Sequence, residues 1–174
     1  MKLKHFIITF LLCILAIKVS AQNIYSALHH NDGYDIKKEY PVKEITTKTI
    51  FYNANGNEVG KDVVAFNDQQ NVTVEIRYNE NGRMTTRLTW MYDATGIKSI
   101  ARKLESWSYT VGNNSTTAFY GYDENGYLIK VTDKDKFGKI VRYSVITNDE
   151  KGYPIELKLT EGSTDFGKEI QNMT

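Results

Sequence analysis

A five-residue pattern recurs along most of this chain: an aromatic, then Asn or Asp, two further residues and a glycine, flanked on each side by β-type sequence. It is clearest in Tyr52-Asn53-Ala54-Asn55-Gly56, Tyr78-Asn79-Glu80-Asn81-Gly82, Tyr92-Asp93-Ala94-Thr95-Gly96 and Tyr122-Asp123-Glu124-Asn125-Gly126. Glycine reaches positive φ without steric cost, and an Asx side chain accepts hydrogen bonds from nearby turn N–H groups, so the pattern is the chemistry of a chain reversal. Further reversals are signalled at Asn67-Asp68-Gln69-Gln70-Asn71, Gly112-Asn113-Asn114, Asp135 to Gly138, Asp149 to Gly152 and Glu161-Gly162-Ser163. Their centres fall about 12 to 15 residues apart, with one longer interval of about 18 between the Asp93 and Gly112 signals. Such spacing holds one strand and no connecting helix, as an antiparallel meander requires.

The stretches between the turns carry a period of two. Val72, Val74, Ile76 and Tyr78 alternate with Thr73, Glu75 and Arg77, and Met84, Thr86, Leu88, Trp90 and Tyr92 alternate with Thr85, Arg87, Thr89 and Met91. Successive strand side chains point to opposite faces, so each stretch has an apolar face and a largely polar one. The expectation is an all-β fold: an antiparallel meander of about 9–10 strands, either a curved open sheet or a barrel. Polar residues such as Arg77, Arg87 and Lys158 on the alternate face argue against an outer-membrane barrel, whose outward side chains are apolar. Within residues 97 to 109 the apolar alternation changes phase, which predicts a β-bulge near Glu105-Ser106. In each motif the tyrosine is expected to close the strand and pack across its own hairpin.

The N-terminus reads differently. Basic Met1-Lys2-Leu3-Lys4, an apolar run from Phe6 to Ile17 and the small residues of Val19-Ser20-Ala21 form a secretory signal peptide over residues 1–21. The apolar run is short of the roughly 20 residues that a spanning helix needs. Residues 22–41 form a weakly patterned lead ending at Pro41, and residues 42–174 form the repeat domain. The single cysteine, Cys13, lies in the leader, so the exported chain has no disulfide and depends on sheet packing. Removing Lys2, Lys4 and Lys18 from 22 basic residues leaves 19 against 21 acidic ones, a net charge near −2. That balance gives no sign of a nucleic-acid partner. The expected location is periplasmic, cell-surface or extracellular, with no transmembrane segment once the leader is removed.

The best motif copies, Tyr92-Asp93-Ala94-Thr95-Gly96-Ile97 and Tyr122-Asp123-Glu124-Asn125-Gly126-Tyr127-Leu128, resemble the YD repeats of the Rhs family. The resemblance runs over roughly residues 45 to 170. It implies a secreted or surface-attached protein whose repeats build long β-sheets and, in some members, bind carbohydrate. The units at Gly138, Gly152 and Gly167 lack the tyrosine.

Catalytic chemistry finds few residues to work with. His29 and His30 are the only histidines after the leader, and neighbours on an extended segment face opposite ways. Asp133-Lys134-Asp135-Lys136-Phe137-Gly138 begins like a calcium loop, but Phe137 and Ser144 stand where oxygen ligands belong. Glu105, near Trp107, is the one carboxylate whose apolar context predicts a raised pKa. No catalytic residue, metal ligand or cofactor is therefore assigned. The candidate ligand-binding residues are the aromatics Trp90, Tyr92, Trp107, Tyr109, Tyr120 and Tyr122. They come from three successive strands, and strand register decides whether they share a face. The expected function is a non-catalytic binding or structural module presenting a sheet surface to a glycan or a cell-envelope protein. The alternative is a periplasmic barrel or half-barrel holding an apolar ligand.

Overall fold

The structure, a computed structural model, describes residues 40–54, 56–165 and 171–173. The expected leader, most of the lead segment with His29 and His30, and the last motif at Phe166-Gly167 lie outside the described residues. The rest is all β. In chain order the strands are β1 (Glu44–Asn53), β2 (Gly56–Phe66), β3 (Val72–Tyr78), β4 (Met84–Tyr92), β5 (Ser99–Ser108), β6 (Gly112–Tyr122), β7 (Leu128–Asp135), β8 (Ile140–Asn148), β9 (Pro154–Glu161) and β10 (Gln171–Met173). They form one antiparallel sheet in which each strand pairs with its neighbours in sequence, from β1 at one edge to β10 at the other. Among the described residues β1 and β10 do not pair with each other, so the sheet is open and not a barrel.

One turn recurs six times, opening at Asn67, Asn79, Asp93, Asp123, Asp135 and Asp149. At Asp123 the Gly126 N–H donates to the Asp123 carbonyl at 3.1 Å, and the Asp123 N–H donates to the Tyr127 carbonyl at 3.0 Å. The Asp123 carboxylate accepts from the N–H groups of Asn125 and Tyr127 at 3.0 and 2.8 Å. Asn79, Asp135 and Asp149 repeat this arrangement. At Asp93 the turn is one residue longer, closing on Lys98. The last turn residue but one needs positive φ, which glycine supplies at Gly126 (φ 84°). At the Asn67 turn Gln70 occupies that place with φ 64°, the one non-glycine residue at positive φ among those described.

Each of the six turns is followed by the same irregularity. Register shifts fall between Ala65/Phe66, Arg77/Tyr78, Met91/Tyr92, Gly121/Tyr122, Asp133/Lys134 and Thr147/Asn148, always at the residue that precedes the turn-opening Asx. In each case the returning strand carries one extra residue: Thr73, Thr85, Ile100, Ile129, Val141 and Ile155. Such bulges bend a sheet and increase its twist, so the curvature device is written into every copy. The Thr73 and Thr85 hydroxyls donate to the carbonyls of Ala65 and Arg77 across the bulge, each at 3.2 Å. The bulge expected near Glu105-Ser106 is absent: β5 pairs without interruption from Ala101 to Ser106 with β4 and to Ser108 with β6. The apolar residues of β5 simply change face along a regular strand.

Register also assigns the faces. The cross-strand row Trp90, Arg102, Ala118, Asp133, Arg142, Glu161 and the parallel row Tyr120, Val131, Ser144, Leu159 lie on one side. Both buried clusters are on that side. Val64, Phe66 and Val72 form one, with Val42, Ile45 and Trp90 packed against it. Ala118, Tyr120, Leu128, Val131, Ile146 and Leu157 form the other, joined by Tyr122 and Leu159. Both lie toward the end of the sheet that carries the turns at 67–71, 93–98, 123–127 and 149–153, called here the ladder end. Toward the opposite, open end the same face turns polar, through Thr47, Asp62, Arg77, Thr86, Ser106 and Asn114 in register.

Candidate functional site

Register divides the six candidate aromatics. Trp90, Tyr92, Tyr120 and Tyr122 belong to the clustered face, where Trp90 packs against one cluster, Tyr120 and Tyr122 belong with the other, and Tyr92 is half-buried. Tyr120 is buried. The Tyr92 hydroxyl donates to the Val72 carbonyl at 2.6 Å, and the Tyr122 hydroxyl donates to the Ser99 carbonyl at 2.5 Å. These acceptors open the preceding strand, so each tyrosine ties its turn back to the repeat before it, and Tyr122 also packs across its own hairpin, with its register partner Leu128 in the cluster it joins. Asn148, in the place before Asp149 where the motif has lost its tyrosine, does the same through Nδ2 to the Leu128 carbonyl at 2.9 Å. Burial, with Tyr120 close by, pushes the Tyr92 phenol up to about 12. The Tyr122 phenol is also pushed up to about 12, by burial first and then by Tyr120, Asp93 and Tyr92.

Trp107 is on the other face. It pairs with Asn113 and shares its side with Glu105 and Lys103 of β5 and Arg87 of β4. The Arg87 guanidinium lies 5.7 Å from the Trp107 ring centroid and donates to Glu105 Oε2 through Nε at 2.8 Å and Nη2 at 2.6 Å. Lys103 Nζ reaches Glu105 Oε1 at 2.9 Å. Glu105 is buried, with 8% of its surface exposed, yet its pKa is lowered. The Lys103 hydrogen bond is the main cause, and Arg87 adds to it against the opposing cost of burial. The raised value expected from the apolar neighbourhood is thus reversed by two cations that cross-strand and same-strand register bring to one carboxylate. Sequence reasoning missed this triad because Arg87 is 18 residues from Glu105 along the chain.

Tyr109 falls in the β5–β6 turn, 96% exposed, because that reversal occupies residues 109–111 and Gly112 already begins β6. The signal at Gly112-Asn113-Asn114 placed the turn three residues too late. The segment from Asp133 to Ser144 is strand, turn and strand: Asp133 faces Arg142 at 3.7 Å, and the Asp135 carboxylate accepts from Phe137 and Lys139 N–H groups. Among the described residues no three His, Cys, Asp or Glu side chains gather as a metal set, and no helix is long and apolar enough to cross a membrane. Against protein-family models and curated proteins the chain finds no match.

Proposed function

We propose that this chain is an exported, non-catalytic module of the YD-repeat kind that presents a sheet face to a glycan or to a cell-envelope protein. The observation that carries the reading is what the recurring residues do. The Asx carboxylates and amides, the positive-φ glycines and the ladder-end tyrosines all hold the chain's own backbone, so the motif builds a platform and leaves recognition to the strand residues between its copies. Of the candidate aromatics, Trp107 is best placed for such contact. It stands on the face away from the buried clusters, half-exposed, beside the fixed charges of Arg87, Glu105 and Lys103. An aromatic body with polar groups at its edge suits stacking of a sugar or a partner side chain.

The alternative, a barrel or half-barrel holding an apolar ligand, needs an apolar concavity, and the open sheet leaves only its half-barrel form. The test is a glycan array together with affinity capture from cell-envelope extract, run with the wild type and with Trp107→Ala. Binding that Trp107→Ala abolishes without altering the thermal melt supports the reading. Binding that survives the substitution moves recognition away from this face.

A further inference from the structure

On the Trp107 face, at the open end, β1, β2, the end of β3 and the turn after it form an open cleft of about 460 Å³ lined by Thr46, Lys48, Val59, Lys61, Tyr78, Asn79, Glu80 and Gly82. Its floor is a single cross-strand row, Lys48 opposite Lys61 and Lys61 opposite Tyr78. Like charges placed directly opposite on neighbouring strands destabilise a sheet. Among the described residues neither ammonium is in a salt bridge, although surrounding strands pair their charges freely, as at Arg77 with Glu75 and Arg87 with Glu105. The Lys61 ammonium lies 5.4 Å from the Tyr78 ring centroid, which fixes its position beside an aromatic face. One acid, Glu80, lines the cleft against these two cations.

We propose that this cleft binds a small acidic saccharide, carrying carboxylate or sulfate groups, with its anions on Lys48 and Lys61 and its ring beside Tyr78. A concave site lined mainly by one sign of charge concentrates the opposite sign. The volume is that of a small-molecule site, too small to enclose an extended macromolecule. The phenol ring, with the Thr46 hydroxyl and the Asn79 Nδ2 among the lining groups, offers an apolar surface and hydrogen bonding together, which a saccharide uses and a simple inorganic anion does not. The proposal deepens the sheet-face reading given above and rests on it.

Calorimetric titration of the full chain with digalacturonate tests it, with digalactose as the neutral control and triglutamate as the acidic-peptide control. Digalacturonate is expected to bind in preference to both, more weakly as salt rises from about 0.05 to 0.5 M. Lys48→Gln with Lys61→Gln is expected to weaken that binding about tenfold or more, as loss of close charge contacts does. The melt of this double variant should be unchanged or higher, because a repulsive pair is relieved, and that outcome separates a binding role from a structural one. Equal binding of digalactose, a preference for triglutamate, or full affinity in the double variant overturns the proposal. Absence of binding at concentrations up to about 10 mM overturns it as well. If glycan binding is lost in Trp107→Ala while the double variant binds normally, the sheet-face reading stands and the lysine cleft falls.

Discussion

The two ends of the sheet are built from the same motif and differ in what the motif touches. At the ladder end successive turns contact one another. Asn67 and Asn71 donate through Nδ2 to the Gly96 carbonyl at 2.8 and 2.9 Å, Lys98 lies over the Tyr122 ring at 4.9 Å, and a Cβ on Gly152 would stand 2.2 Å from the Tyr127 ring. At the open end Gly56, Gly82, Gly112 and Gly138 each have free space where a Cβ would project. Tyr52, in a good motif copy, is 78% exposed there, and Lys136 Nζ reaches the Asn113 carbonyl at the start of β6, at 3.2 Å. At Asn79 and Asp135 the open end uses the same turn as the ladder end, so shared turn chemistry yields both stacked and unstacked copies, and the difference comes from the strands. The buried clusters draw the ladder-end turns together, while the polar rows at the open end give the turns nothing to close upon.

Matched substitutions probe that contrast. Gly152 and Gly138 share φ of 83°, so alanine at either costs about 1 kcal/mol of backbone strain. Only Gly152→Ala must also displace the Tyr127 ring, and its urea-unfolding free energy should fall by about 1 kcal/mol or more beyond that of Gly138→Ala. Equal losses would break the comparison. The next effect is at Gln70, whose strained φ is held while its side chain accepts from the Val42 N–H at 2.7 Å and donates to the Asn67 carbonyl at 3.3 Å. Gln70→Ala keeps the strain and loses both bonds, an expected cost of about 2 kcal/mol, and Gln70→Gly should recover part of it by relieving the backbone.

A smaller difference is expected between two conservative changes. Tyr122→Phe removes a half-buried hydrogen bond and should cost about 1 kcal/mol, whereas Tyr52→Phe should leave the thermal melt unchanged. The smallest effect at ordinary pH, and the most specific, is a titration. Tyr92 and Tyr122 have folded-state values raised to about 12. Their contribution to stability is fully present below the unfolded phenol value, near 10, and is lost as pH rises through the folded value. Absorbance titration at alkaline pH should show Tyr92 and Tyr122 ionising late, with the late amplitude falling by one phenol in Tyr122→Phe. Glu105 has the opposite sign: its lowered pKa gives stability above the unfolded carboxyl value that is lost as pH falls through the folded one.

Much of the fold was legible because turn chemistry is local. Asn79, Asp123, Asp135 and Asp149 each cap the two N–H groups that their spacing from glycine requires, and no distant residue is needed to read them. Faces were less legible, because they depend on the bulge after each turn, and Thr73, Ile100 or Ile155 look like ordinary strand residues in sequence. Trp107 and Trp90 therefore resembled members of one cluster and are on opposite sides. The Glu105 triad and the Lys48–Lys61 pair were illegible for the same reason, since each is made by register between strands.

The backward reach of Tyr92, Tyr122 and Asn148 has a consequence for how the molecule is assembled. These bonds span 20, 23 and 20 residues and run from a later segment to an earlier one. Loop closure for such a rung does not grow harder with total length, because each closes over about one two-strand unit however many precede it. A chain emerging N-terminus first can add each new hairpin to a finished edge. An array of this design can be lengthened or shortened by whole units while every other rung keeps its partner.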